Sequence, residues 1–173
     1  MTAIPSLFTE RLTLRAPRLG DFEAMAGFLA SGRARYVGGP YIRRDAWRAL
    51  AAMIGHWDLR GHGMWALEET ATGTYLGNVG LHDPEGWIAP EIGWWIVSDT
   101  QEGRGFAREG AHAARRYAYE VVGWPAAYSV IHPDNARSIA LAERLGAVPD
   151  RKQEIAPGEL RIVYRHPAPE AQA

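Results

Sequence analysis

EIGWWIVSDTQEGRGFAR, residues 91–108, decides how this chain folds. Residues 91–97 are almost wholly apolar and short, which predicts a strand covered on both faces. Two glycines follow within three residues, and a long helical pattern then runs from about 105 to 122. A further strand is expected at 126–131. Strand, crossover helix and strand together form a βαβ unit, so the two strands should be parallel. Within the turn, Gly103 and Gly105 let the backbone bend tightly and approach a ligand closely. The first amides of the following helix lack internal partners and sit at the positive end of its dipole. The segment Gly103, Arg104, Gly105, Phe106, Ala107 and Arg108 therefore suits a diphosphate, with Arg104 and Arg108 adding charge. A bare GxG is also compatible with two turn glycines and nothing more. The stretch has no GKS or GKT and no third glycine at the dinucleotide-binding spacing.

Working outward, Ala107, Ala111, Ala114 and Ala118 make a small-residue stripe that lets the helix lie close on a sheet. Downstream, SVIHPDNARSIALAERLGA (129–147) reads as a strand end, a break at Pro133, and a helix over about 135–145. Asp134 or Asn135 caps that helix and Gly146 ends it. Upstream, strands are expected at 11–16, 64–69 and 75–82, the last with Tyr75, Gly77, Val79 and Leu81 on one face. Helices are expected from a cap at Asp21 to about Ala30, and from a cap at Asp45 to about Arg60. A terminal pair of strands near 149–155 and 159–165 precedes a tail, PAPEAQA, expected to fray. The order βααβββαβαββ predicts an α/β (α+β) fold, one mixed sheet of six to seven strands with helices on both faces.

The chain has 173 residues, expected to form a single domain with a core over about 8–165. Net charge is −1 without a basic block, which argues against a nucleic-acid partner. There is no cysteine, so disulfides, thiolate metal sites and a cysteine nucleophile are all excluded. No leader or ~20-residue apolar span is evident, and cytoplasmic location with no membrane partner is the expectation. Seven tryptophans are more than a surface tolerates, so several should be buried or line a groove.

QEGRGFA after EIGWWIV, then HPDNARSIALAERLGA after the next strand, resemble the GNAT acetyltransferase superfamily. Within it they resemble the branch that includes the ribosomal-protein N-terminal acetyltransferases, as do TERLTLRAP near the start and GLHDPEGW before the core. The resemblance covers roughly residues 8–165. It implies a sheet whose fourth and fifth strands splay apart with acetyl-CoA between them, and an amine acceptor. Trp95, Ile96 and Val97 would offer backbone groups to the pantetheine arm, the segment from Gly103 to Arg108 would hold the diphosphate, and Asn135 would bond the pantetheine. A metal ligand is not implied, and the oligomeric state stays open, a homodimer among the options.

Two departures stand out. The loop position usually held by Gln or Arg is Glu102. The tyrosine that many members place on the last helix as general acid is Ala142. In the branch resembled, a serine one turn after the asparagine stands in, which assigns Ser138 as proton or hydrogen-bond donor to the leaving thiolate; a plain helix-start role is the alternative. A general base must reach the amine. Glu91, opening an apolar strand on the face of Gly93 and Trp95, is the first candidate, with a pKa raised by burial. His82 is the second, and His132 reads as structural. The reading is an N-acetyltransferase, the alternatives being an acyl-CoA sensor without turnover or a nucleotide-binding regulator.

Overall fold

A computed structural model describes residues 3–168. Among them, eight strands form one sheet: β1 (Leu7–Phe8), β2 (Leu12–Arg15), β3 (Met64–Glu69), β4 (Thr74–His82), β5 (Glu91–Ile96), β6 (Tyr128–Ile131), β7 (Val148–Glu154) and β8 (Leu160–Arg165). The α-helices are α1 (Phe22–Ala30), α2 (Arg43–Arg60), α3 (Phe106–Tyr117) and α4 (Ala136–Arg144). The expected tail beyond Ala168 lies outside the described residues. Strands run in the order β1-β2-β3-β4-β5-β6-β8-β7, and only β5 and β6 pair in parallel. The mixed sheet is as expected, one or two strands wider: β1 is too short to carry an alternating pattern.

α3 lies against one face. Ala111 and Ala114 are fully buried there with Leu67, Val79 and Leu81, as is Ala118 in the π-helical turn that follows (Ala118–Val122). Gly110 belongs to the same stripe: a Cβ on it would stand 3.0 Å from Val79 Cγ1 and 3.1 Å from Leu67 Cδ2. α1 and α2 cover the opposite face through Met25, Leu29, Leu50 and Met53. α4 packs through Ala142 on Ile131 and Tyr164.

Three local expectations are corrected. Tyr75 is not on the face of Val79 and Leu81. Glu68 opposes Tyr75 while Leu67 opposes Gly77, so Leu76 is an extra residue that reverses the alternation. Tyr75 packs with the α1/α2 core and Leu76 with the α3 core. Asp45 does not cap α2, which starts two residues earlier after Ile42. Asp21 makes no side-chain cap bond to α1. It is buried and paired with Arg15 at 2.7 Å, and accepts the Arg18 amide at 3.0 Å. Of the tryptophans, Trp57 and Trp65 are core, Trp47 is half exposed, and Trp87, Trp94 and Trp95 line a cavity.

Candidate active site

β5 and β6 touch at one register pair, Glu91 with Tyr128, and then part. The expected splay between the fourth and fifth predicted strands is this divergence. Tyr128 N donates to Pro90 O at 2.9 Å, and the buried Ser129 Oγ donates to Ile92 O at 2.7 Å. Beyond that point no ladder bond among the described residues joins the two strands. On the other edge of β5, Val97 N donates to Leu76 O at 2.9 Å. Since backbone groups alternate sides along a strand, Glu91, Gly93 and Trp95 direct theirs to β4. Ile92, Trp94 and Ile96 direct theirs into the wedge. Of the three residues expected to offer backbone groups, Ile96 is thus the one turned inward. Trp95 contributes its side chain to the cavity wall instead.

At the mouth of the wedge, Gly103 and Gly105 have φ of 74° and 86°, which only glycine adopts without strain. The first α-helical bond of α3 is Glu109 N to Gly105 O at 3.0 Å, so the amides of Phe106, Ala107 and Arg108 precede it. Phe106 turns its ring into the core, with the Arg11 and Arg104 guanidiniums 4.7 and 4.8 Å from its centroid. Arg11 Nη1 also donates to Arg104 O at 3.0 Å, and Arg11 pairs with Glu109 at 2.7 Å. Arg11 therefore fixes the loop, a role invisible in sequence because it acts across more than ninety residues. Glu102 is clasped by Arg33 and Arg137. Arg33, from the 31–37 turn, donates as well to Val97 O at 2.6 Å and Ile96 O at 3.0 Å.

Asn135 and Ser138 begin α4 and both line the cavity. Asn135 is the cap: its Oδ1 accepts Ser138 N at 3.3 Å, and its Nδ2 donates to Ser138 Oγ at 3.0 Å. With the serine oxygen accepting, its O–H proton remains free to be given elsewhere. Ala142, one turn on, is fully buried against Ile131 and Tyr164, away from the wedge.

The wedge opens on a cavity of about 890 Å³ between the sheet and α1/α2. Met25, Leu29, Met53 and Tyr41 form its apolar wall, and His56, His82, Trp87 and Glu91 its floor. Glu91 is half-buried. Burial pushes its carboxyl up to about 7, against the opposing pull of hydrogen bonds from Trp87 and Val130 and the charge of Arg161. Trp87 Nε1 donates to Oε2 at 2.8 Å, and Val130 N to Oε1 at 3.3 Å. His82 faces Glu91 across β4 and β5. Burial, then the neighbouring His56, pushes it down to about 4. The His132 ring lies 5.1 Å from that of Tyr36, tilted by 34°, its Nδ1 accepts the Asp134 amide at 3.1 Å, and the residue lines the cavity.

The geometry has clear relatives. The model for the acetyltransferase (GNAT) domain matches residues 11–148. The crystal structure of an acetyltransferase from Agrobacterium tumefaciens C58 superposes with a TM-score of 0.85 at 36% identity, covering 95% of each chain. YkkB of Bacillus subtilis strain 168 is 28% identical over 84% of this chain and 87% of its own. At the level of fold alone, the crystal structure of ribosomal-protein-S5-alanine acetyltransferase from Vibrio fischeri aligns at TM-score 0.71 and 13% identity, over 98% of this chain and all of that one. The family match spans the strand, loop and helix that build the wedge, and the chain belongs to the GNAT acetyltransferase family.

Proposed function

We propose that this protein transfers an acetyl group from acetyl-CoA to a primary amine, of a protein N-terminus or a small molecule, by direct attack in a ternary complex. The observation that carries the reading is the wedge. Two parallel neighbours share one register pair, free helix amides flank the mouth, and a half-buried carboxylate stands at the apex. Bound acetyl-CoA supplies an activated thioester carbonyl. The Gly103–Arg104–Gly105 turn and the amides of Phe106, Ala107 and Arg108 hold the diphosphate, with the Arg108 guanidinium adding charge. Ile96 lies along the pantetheine arm with Val97, and its N–H polarises the reacting carbonyl. Trp95 bounds the acceptor side, and Asn135 closes the pantetheine slot from α4.

Glu91 receives the amine proton. A carboxyl near 7 is partly ionised at neutral pH yet basic enough to act. His82, pushed down to about 4, is much the weaker base. Ser138 gives its free O–H proton, or a strong hydrogen bond, to the leaving thiolate. The test is thiol release from acetyl-CoA, with mass analysis of the amine, across peptides, amino acids, polyamines and aminoglycosides. An acetylated amine is expected. Binding of acetyl-CoA without turnover on any acceptor would instead establish the sensor reading, which the buried Ala142 favours. No acetyl-CoA-dependent thermal shift at millimolar ligand would remove both.

A further inference from the structure

The loop between β4 and β5 delivers one side chain to Glu91, and the loop is built to hold it still. Asp83 at its start accepts His62 Nε2 at 2.7 Å and lies 3.3 Å from His56 Nε2. Trp87 N closes a turn on Pro84 O at 3.0 Å, with Gly86 at φ 77°. At the far end, Ile88 O accepts Arg151 Nη2 at 3.1 Å. The Trp87 ring stands edge-on to His82 at 5.2 Å, and His82 stacks on His56 at 6.1 Å. Backbone, ring face and indole N–H are thus each fixed by a different partner. We propose that Trp87 is a positioning residue for Glu91, its indole N–H holding Oε2 while Val130 N holds Oε1. The inference rests on Glu91 being the base of the proposed reaction.

The chemistry of the donor supports this role. Indole N–H donates and never accepts, so it cannot turn round to take the proton that Glu91 collects. Each carboxylate oxygen has two acceptor directions. One bond to each leaves one direction per oxygen for the amine. Both bonds favour the ionised form, because a proton on either oxygen displaces or weakens one of them. The other charged or titratable groups lining the same cavity are Tyr36 and Tyr41 before α2, His56 and Arg60 on α2, His82 on β4, Glu85 on the loop, His132 beyond β6, and Glu159 and Arg161 at β8. Asp83 stands behind His56, and Tyr128 is the register partner of Glu91 on β6. Arg161 acts on Glu91 through its charge rather than through a hydrogen bond.

The variant Trp87→Phe keeps a ring against His82 and removes the N–H. Carbon-13 carboxyl titration of Glu91, assigned with Glu91→Gln, should shift upward by about one pH unit, the size expected for losing one hydrogen bond to a charged group. The acid limb of kcat/KM should follow it, about tenfold lower on the acid side, with acetyl-CoA affinity unchanged. A folded Trp87→Phe protein with an unmoved titration overturns the proposal. Should that variant not fold, the wild-type Trp87 Nε1–H resonance must titrate with Glu91 and stop doing so in Glu91→Gln; a flat response overturns it equally. A shifted titration in a protein that acetylates no amine keeps Trp87's hold on the carboxylate and removes only the base role.

Discussion

Replacing Glu91 by Gln should cost activity and return stability, and the two effects should separate with pH. Burial carries the Glu91 carboxyl from its ordinary 4.5 to about 7. The unfolded chain releases that proton near 4.5, while the folded chain keeps it until about 7. Between these values the folded state binds more protons, so stability falls as pH rises through the window and levels off above it. At about 1.36 kcal/mol per pH unit, the wild type loses roughly 2–3 kcal/mol between pH 5 and pH 8 on this account alone. The amide of the Glu91→Gln variant does not titrate and escapes the loss. It also pairs less well with two N–H donors, one of which must face its NH₂ group. That penalty is present at both pH values and cancels in the comparison.

The measurement is urea unfolding of both proteins at pH 5 and pH 8. Glu91→Gln should gain roughly 2–3 kcal/mol relative to wild type on going to pH 8, or about 5–10 °C in Tm for a chain of this size. Over the same change its turnover should fall about 10²–10⁴-fold short of wild type if Glu91 is the base. A stability difference that does not vary with pH would refute the raised carboxyl. A full-rate mutant with the expected stability gain would refute the catalytic role alone.

Ser138→Ala should retain acetyl-CoA affinity and lower kcat, by about 10²–10⁴-fold for a lost general acid and less for a lost hydrogen bond; kcat and affinity both near wild type would reduce Ser138 to a helix-start residue. Gly105→Val should weaken acetyl-CoA binding by calorimetry and cost at least about 1–2 kcal/mol, because φ of 86° strains any β-carbon; unchanged affinity would make the loop purely structural. Gly110→Val should destabilise by about 1–3 kcal/mol without changing acetyl-CoA affinity, since its Cβ meets Val79 and Leu67 at 3.0–3.1 Å. Unaltered denaturation would show that α3 does not lie that close to the sheet.

What the sequence made legible was mainly local. The turn glycines, the apolar strand before them and the Asn135–Ser138 spacing each signal themselves within a few residues. The wedge was legible only through resemblance, because divergence of two strands has no periodicity. Arg11 and Arg33 were missed as site residues for a related reason, and Trp87 was read as a groove-lining ring without its bond to Glu91. Arg11 reaches Arg104 and Arg33 reaches Ile96 and Val97 across sixty or more positions, and nothing near them in sequence encodes the partner. Trp87 lies only four residues from Glu91, and its bond depends on how the intervening loop is pinned. Leu76 shows the limit of alternation: one extra residue in β4 moved Tyr75 to the opposite core.

Glu102 is the departure that the structure makes intelligible. A carboxylate beside a loop suited to a diphosphate should repel the ligand. Here it is held between Arg33 and Arg137, so the two guanidiniums exceed its charge, and Arg104 and Arg108 stand further along. The residue also joins parts that the wedge separates. Arg33 belongs to the segment between α1 and α2 and ties it to the end of β5; Arg137 belongs to α4 on the other side. Tyr36 adds a second tie, its hydroxyl donating to Asp134 O at 3.1 Å and its ring lying on His132. An opening between β5 and β6 that has no ladder bonds beyond its apex among the described residues is therefore bridged at its mouth by side chains. In place of the Gln or Arg that the resemblance implies at this loop position, this chain has an acid whose partners supply the positive charge and hold the mouth together.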